Sequence, residues 1–151
     1  MLKSIRKAEL KDLPQILVLI EAHAVYEQSE ISSLVELEQR LRDTMFGRYP
    51  KIQCLIAEHE GLIVAYASFI SQYSTWEGVE YLYLDCLFIK EECRGLGLGK
   101  AFMQRIQAQA RHQSIDLIQW QTPVFNKNAI SFYRGLGAVD KPKHRFFWKV
   151  T

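Results

Sequence analysis

The chain contains few of the residues that build disulfide frameworks or metal centres. Among its 151 residues are three cysteines, Cys54, Cys86 and Cys93. Their number is odd and their spacing is unlike that of zinc ligands, which argues against both a disulfide framework and a metal site. Reduced cysteines are typical of a reducing compartment, so we expect a cytoplasmic protein.

The sequence also lacks long apolar runs and a strong excess of charge. No apolar segment approaches the roughly 20 residues of a membrane-spanning helix, and Met1-Leu2-Lys3 does not begin a signal peptide. A net charge of +2, with scattered basic residues, gives no electrostatic reason to expect nucleic acid. We expect no membrane or nucleic-acid partner, and a single domain over residues 1–151.

Hydrophobic periodicity and turn residues predict a mixed α/β domain. Asp12 is expected to cap a first helix that carries Pro14 in its first turn, and the pair Ser33 and Glu36 has the spacing of a capping box for a second. A third helix carries the stripe Leu98, Phe102, Ile106 and Ala110, and a fourth spans Lys127–Leu136. The predicted strands are Leu2–Arg6, Gln53–Glu58, Leu62–Ser71, Glu80–Ile89, Asp116–Gln121 and Arg145–Val150.

A glycine-rich turn follows the Glu80–Ile89 strand and precedes a helix, an arrangement suited to a phosphorylated ligand. Two familiar phosphate motifs do not fit its spacing. A dinucleotide fingerprint needs its third glycine where this chain has Lys100, and a P-loop needs Ser or Thr at Ala101 and glycine at Arg94. The remaining pattern is Arg94-x-x-Gly97-x-Gly99.

This pattern resembles the signature of the GNAT superfamily of acyl-CoA-dependent N-acetyltransferases, in which it binds the pyrophosphate of acetyl-CoA. A second segment, from Asn126 to Tyr133 and followed by Gly137-Ala138, resembles that family's Asn-x-x-Ala-x-x-Phe-Tyr motif. The resemblance implies a GNAT-type fold, with a mixed, mostly antiparallel central sheet of about six to seven strands and about four flanking helices.

The resemblance implies a set of residues that bind acetyl-CoA. The pantetheine and thioester would bond to the backbone of the strand before the loop, with the Leu87 amide as oxyanion donor, and Tyr133 would protonate the CoA thiolate. The cofactor-binding residues implied in this way are Cys86, Leu87, Phe88, Arg94, Gly95, Leu96, Gly97, Leu98, Gly99, Lys100, Asn126, Asn128, Phe132 and Tyr133.

A narrower resemblance is to the spermidine/spermine (diamine) N-acetyltransferase branch. Tyr26-Glu27, Trp76-x-Gly78 and Tyr83-Leu84-Asp85 look like segments of that branch. Its loop Tyr-Asp-Pro-Trp is here Tyr73-Ser74-Thr75-Trp76, and its strand Tyr-Leu-Glu-Asp is Tyr83-Leu84-Asp85-Cys86. Two acids that would hold a polycation are therefore replaced, and the branch's dimeric state implies a homodimer.

The catalytic residues expected from this reasoning are Tyr133, Asp85 and Leu87. Asp85 is the first choice of general base and Glu27 the second, while Tyr26, Glu27, Trp76 and Asp85 would bind the substrate. Cys86 is expected to pack rather than act as a nucleophile, since no motif places a histidine beside it. The histidines, which are expected at the surface or in loops, are His23, His59, His112 and His144.

The leading prediction is an acetyl-CoA-dependent N-acetyltransferase that acts on a primary amine of a small molecule. Acetylation of a protein lysine or N-terminus is an alternative within the same chemistry. A non-catalytic acyl-CoA-binding module is the alternative outside it, because a module that only binds needs the glycine loop and no more.

Overall fold

Within the described residues, a five-stranded sheet and three α-helices lie in the unit that ends at Gln121, and one α-helix lies in the unit that begins at Thr122. The structure is a computed structural model that describes residues 4–151. In chain order the elements are β1 (Ser4–Lys7), α1 (Leu13–Tyr26), α2 (Leu34–Phe46), β2 (Gln53–His59), β3 (Leu62–Ser74), β4 (Val79–Ile89), α3 (Leu98–His112), β5 (Ile118–Trp120) and α4 (Lys127–Gly135).

The strands follow one another across the sheet in chain order, from β1 to β5. Neighbours are antiparallel except β4 and β5, which are parallel and are connected through α3. The hairpin between β2 and β3 turns at Glu60 and Gly61, which both have positive φ, as a tight two-residue turn requires. The mixed α/β class and the predicted hairpin are confirmed.

Apolar side chains of β2 alternate between the two faces of the sheet. Cys54 and Ile56 belong to a buried cluster with Ile16 and Leu19 of α1. Leu55 points to the opposite face, where it lines a small cavity with Arg105 and Gln109 of α3. The sheet therefore has helices on both faces, and the predicted α3 stripe of Leu98, Phe102, Ile106 and Ala110 is buried.

Asp12 differs from its predicted role as the side-chain cap of α1. Its carboxylate accepts hydrogen bonds from the Glu9 amide at 2.8 Å and from Arg6 at 2.8 and 2.9 Å, and it makes no side-chain cap on α1. The Arg6 guanidinium holds the pKa of Asp12 below its usual value. Ser33, in contrast, caps α2 by accepting from the Glu36 amide, as predicted.

The sheet has fewer strands than predicted. The part of Leu2–Arg6 that the structure describes lies in β1, and residues 1–3 lie outside the described residues. The predicted strand Arg145–Val150 is wrong, because residues 139–151 are assigned neither helix nor strand. Its alternating pattern needs a surface to bury its apolar face, yet Phe146 is 90% exposed and Trp148 is 96% exposed.

The second unit is organised by α4, whose two ends are closed by its own sequence. The Asn126 side chain accepts a hydrogen bond from the Ala129 amide at the N-terminus. At the other end Gly137 has a φ of +96°, and the amides of Gly137 and Ala138 bond to the carbonyls of Arg134 and Tyr133. This pair of bonds is a Schellman motif, which explains why Gly-Ala follows the helix.

Candidate active site

The glycine loop leads from a short 3₁₀ turn after β4 into the N-terminus of α3. Gly95 has a φ of +76° and Gly97 a φ of +82°, conformations that residues with a Cβ rarely adopt. Gly97 is also the N-cap of α3, so the amides of the first helical turn point outward from the helix end with no intrahelical acceptor. Leu96 is exposed, while Leu98 and Gly99 are buried.

Strand β4 carries a β-bulge at Asp85. Ser68 of β3 is paired with Cys86 and Phe69 with Leu84, so Asp85 is an extra residue in β4. The parallel ladder to β5 ends at the pair Leu84–Trp120, whereas β4 continues to Ile89. The bulge therefore coincides with the point at which β4 passes the end of its β5 neighbour.

After the bulge, the backbone amides of β4 alternate between facing β3 and facing the open edge of the sheet. The Lys90 amide donates to the Val64 carbonyl of β3 at 2.9 Å. Peptide groups alternate sides along a strand, so the amides of Phe88 and Cys86 also face β3, while that of Leu87 faces the opposite edge. The Ile89 carbonyl, on the same edge as Leu87, accepts a hydrogen bond from Nε of Arg94 at 2.8 Å, which agrees with this assignment.

Arg94 connects the glycine loop to the C-terminal end of α1. Its guanidinium carbon lies 4.7 Å from the ring centroid of Tyr26 and 5.4 Å from that of Phe88, both cation–π distances. The Tyr26 and Phe88 rings are themselves 6.3 Å apart. Three predicted site residues from separate segments of the chain are thus brought together.

His23 occupies the space between α1 and the bulged strand. Its Nδ1 lies 2.8 Å from the hydroxyl of Tyr66, its Nε2 pairs with the Glu27 carboxylate, and its ring stacks on Phe88 at 5.1 Å. The His23 side chain is 12% exposed, so the expectation that it lies at the surface is wrong. His112 and His144 are exposed, as expected.

The surroundings of His23 favour its neutral form. Burial lowers its pKa from the ordinary value, and the nearby charges of Glu27 and Asp85 only partly oppose this. Burial also raises the pKa of the Tyr66 phenol, which therefore stays protonated. In the neutral ring, Nε2–H donates to Glu27 while Nδ1 accepts the Tyr66 hydroxyl proton.

Cys86 lies beside this group, and its thiol is protonated at neutral pH. Burial, followed by the charge of the adjacent Asp85, raises the pKa of Cys86 to about 12, against the effect of hydrogen bonds with Tyr66 and Ser68. Its Sγ lies 3.5 Å from Oδ2 of Asp85, whose side chain is exposed. A protonated thiol agrees with the prediction that Cys86 packs rather than attacks.

Trp76 lies apart from these contacts, in the turn between β3 and β4. Its side chain is 95% exposed. Ser74 stabilises the turn, since its hydroxyl accepts a hydrogen bond from the Glu77 amide and its carbonyl one from the Gly78 amide. Ser74 therefore has a local structural role at the position where the related branch has an acid.

Four of the predicted residues, Asn126, Asn128, Phe132 and Tyr133, lie in the second unit. Asn126 caps α4, and the rings of Phe132 and Tyr133 lie 5.2 Å apart. Lys127 and Asn128 are exposed on the first turn of the helix. The Asn-x-x-Ala-x-x-Phe-Tyr segment is thus a capped helix that ends in a fixed turn.

Sequence reasoning missed His23 and Tyr66. The available signal was the spacing of His23 and Glu27, since residues four apart on a helix are neighbours on its surface. Tyr66 gave no such signal, because a tyrosine in an apolar strand is indistinguishable from a core residue until its hydroxyl partner is known.

The described residues contain neither a metal-binding cluster nor a membrane-spanning helix. Across residues 4–151, no three His, Cys, Asp or Glu side chains are grouped in a way that would hold a metal ion. Within the same residues, no helix is both long enough and apolar enough to span a membrane.

Known proteins resemble this chain in sequence and in fold. Residues 18–138 match the Acetyltransferase (GNAT) family. Thialysine N-epsilon-acetyltransferase of Bos taurus is 32% identical over 90% of this chain and 84% of its own length. Human spermidine/spermine N(1)-acetyltransferase-like protein 1 is 31% identical over 90% of this chain and 20% of its own length.

Solved structures give the same fold. A predicted acetyltransferase from Clostridium acetobutylicum, determined with acetyl-CoA, superposes with a TM-score of 0.78 at 17% identity, covering 97% of this chain and 96% of that one. The relatives confirm the resemblance to the diamine branch and the predicted N-acetyltransferase activity. The chain belongs to the acetyltransferase (GNAT) family.

Proposed function

We propose that this protein transfers an acetyl group from acetyl-CoA directly to a primary amine of a small molecule. One observation carries the proposal: the Leu87 amide faces the edge of β4 beyond the β5 ladder, between the acidic bulge at Asp85 and the glycine loop. A carboxylate at Asp85, an oxyanion donor at Leu87 and an anion-binding loop therefore follow one another along fifteen residues of the chain, from Asp85 to Gly99. The names of the relatives support amine acetylation.

The glycine loop is the proposed binding site for the pyrophosphate of acetyl-CoA. Gly95 and Gly97 have positive φ, and a Cβ added at either position would meet nothing within 4 Å, so the space beside both residues is open. The N-terminus of α3 adds positive potential there. Residues 94–100 and the backbone of Leu87 fit a phosphorylated pantetheine ligand, whereas the amides of Cys86 and Phe88 face β3.

Acetyl-CoA, when bound, supplies a thioester whose acetyl carbon accepts the amine nitrogen. The Leu87 N–H would stabilise the negative charge that develops on the carbonyl oxygen. A preorganised donor of this kind is worth about 3 kcal/mol of transition-state stabilisation. Because the donor is a backbone group, its position depends on the bulge rather than on the side chain of Leu87.

Two side chains would handle protons. An alkylamine is mostly protonated at neutral pH, and Asp85 would take its proton directly or through a water molecule. As the new C–N bond forms and the C–S bond breaks, the Tyr133 phenol would give its proton to the departing sulfur. Asn126, Asn128 and Phe132 would belong to the same donor-side segment. These roles rest on the motif.

The acceptor is proposed to be a small cationic amine. Glu27 and Asp85 supply negative charge, and Tyr26 supplies an aromatic face, although that face already carries the Arg94 guanidinium. Trp76 would extend the acceptor site from the β3–β4 turn. Because Ser74 and Cys86 stand where the related branch has acids, an amine with fewer charges than a polyamine is favoured.

We further propose that the protein is a single catalytic domain, forms a homodimer and acts in the cytoplasm. The exposed apolar segment Phe146-Phe147-Trp148 supports self-association, since such patches commonly mark interaction surfaces. Cytoplasmic action is supported by the three free cysteines, Cys54, Cys86 and Cys93.

Thiol release from acetyl-CoA tests the proposed function against its alternatives. We expect release that depends on a small amine such as thialysine or spermidine and is negligible with a lysine-containing peptide. Preference for the peptide would favour a protein acetyltransferase. Thermal stabilisation by CoA without turnover on any amine would favour a module that only binds.

A further inference from the structure

The Glu27 carboxylate is bonded to His23, and His23 is in turn hydrogen-bonded to the hydroxyl of the buried Tyr66. Glu27 follows the last residue of α1, and its side chain is 31% exposed. Its partner, His23, lies one helical turn earlier and is bonded on its other nitrogen to the Tyr66 hydroxyl. Glu27 therefore has one side toward solvent and one side fixed by His23.

His23 itself is not placed to touch a substrate. Both ring nitrogens are engaged, one by Glu27 and one by Tyr66, and one ring face is covered by Phe88. A general base needs a nitrogen that can reach the substrate proton. Any effect of His23 on the reaction must therefore pass through the groups to which it is bonded.

We propose that His23 is a positioning residue for the acceptor: anchored by Tyr66 and Phe88, it fixes the Glu27 carboxylate so that Glu27 binds the ammonium group of the amine. The inference rests on the proposed function and adds a residue to it. Without the His23 ring, Glu27 would be a flexible side chain at a helix end, and holding it for the substrate would cost entropy on binding.

The charge state of the ring fits this role. A neutral His23 orients Glu27 without cancelling its charge, whereas a protonated ring would form a neutral pair and weaken attraction for a cation. The titratable and charged groups around the ring are Glu27 on α1, Tyr66 on β3, Asp85 and Cys86 on β4, and Arg94 in the loop. Burial lowers the pKa of His23 against the opposing effect of the two carboxylates.

Two substitutions of the same residue separate positioning from simple packing. The amide nitrogen of His23→Gln reaches approximately the place of Nε2 and can still donate to Glu27. The shorter amide of His23→Asn reaches only the Nδ1 place and loses Glu27. We expect His23→Asn to raise KM for thialysine about tenfold, the effect of losing an oriented charged contact, with kcat little changed. His23→Gln, which keeps the bond to Glu27 but loses the one to Tyr66, should raise KM by less than His23→Asn does.

A double-mutant cycle with Glu27→Gln completes the test. Glu27→Gln should raise KM by a similar factor, and adding His23→Asn to it should raise KM no further, since the two residues act as one unit. Thermal stabilisation by CoA should be equal in all variants, because none of them changes the glycine loop or the Leu87 amide. His112→Asn, at an exposed position, is the control.

An unchanged KM in His23→Asn, or equal increases in the Asn and Gln variants, would overturn the inference while leaving the proposed function intact. Absence of turnover by the wild type on thialysine and spermidine would overturn both. If His23→Asn does not fold, Tyr66→Phe removes the hydroxyl that anchors the ring. A rise in KM for thialysine is then expected, and an unchanged KM contradicts the proposal.

Discussion

Arg94 donates a hydrogen bond from Nε to the carbonyl oxygen of Ile89 at 2.8 Å. This bond joins the first residue of the glycine loop to the last residue of β4, on the edge of the strand that also carries the Leu87 amide. The two parts of the proposed donor site, the anion-binding loop and the oxyanion donor, are therefore fixed to one another. Cation–π contacts of the same guanidinium with Tyr26 and Phe88 extend this connection to α1.

A substitution at Gly97 tests whether the glycine loop binds CoA. Gly97→Ala places a Cβ at a φ of +82°, which costs roughly 1–2 kcal/mol in the left-handed conformation. If the strain is relieved by a change in the loop, the Kd for CoA should rise about tenfold, as measured by calorimetry. Gly135→Ala is the matched control, because a Cβ there meets nothing within 4 Å and the residue is helical. Equal affinity in the two variants would argue against the loop as the CoA site.

A substitution at Tyr133 tests whether its hydroxyl is the proton donor to the CoA thiolate. Tyr133→Phe removes only the hydroxyl, so we expect kcat to fall at least about tenfold while CoA binding is kept. Tyr49→Phe removes a hydroxyl from a residue that is 78% exposed and should have no effect. Near-normal turnover in Tyr133→Phe would remove this residue from the mechanism.

A substitution at Asp85 tests whether its carboxylate is the general base. Asp85→Asn keeps the shape of the bulge residue but removes its ability to accept a proton, and we expect kcat/KM to fall about a hundredfold with an altered pH–rate profile. Glu80→Gln, an exposed change on the same strand, is the control. A profile identical to that of the wild type would place the base elsewhere, with Glu27 as the next candidate.

His23 makes stability depend on pH. Its pKa is lowered in the folded protein, so the unfolded chain binds a proton first as the pH falls below about 6.5. The contribution of the neutral ring is fully present above that pH and is lost as the pH falls through the folded-state pKa. Urea unfolding at a series of pH values should show a weaker loss of stability in His23→Gln. An identical loss in both proteins would mean that His23 is not the titrating group.

Much of the fold follows from periodicity and turn chemistry. The Ser33 cap and the α3 stripe needed no tertiary information, because each is a local pattern. Periodicity alone could not decide whether Arg145–Val150 is a strand. An alternating segment of this kind forms a strand only when a neighbouring strand pairs with it. Asp12 illustrates the same difficulty, because its choice between capping α1 and bonding Arg6 depends on where β1 lies.

In the candidate site, too, some features follow from local sequence patterns and others depend on tertiary contacts. The glycine loop and the Asn126–Tyr133 segment have sequence spacings that predict their local structure. The bulge at Asp85 has no signature in the residue types, since it appears only in the register of β3 against β4. His23 was misjudged because burial of a polar side chain depends on partners from other elements, here Tyr66 and Phe88.

Mass spectrometry of the reaction products tests the central claim most directly. The protein is incubated with acetyl-CoA and thialysine or spermidine, and both the amine and the released CoA are quantified. We predict an amine that carries an acetyl group on a primary nitrogen, formed in equal amount to free CoA and abolished when the protein is omitted. Unmodified amines, in a sample where CoA demonstrably binds the protein, would contradict the account.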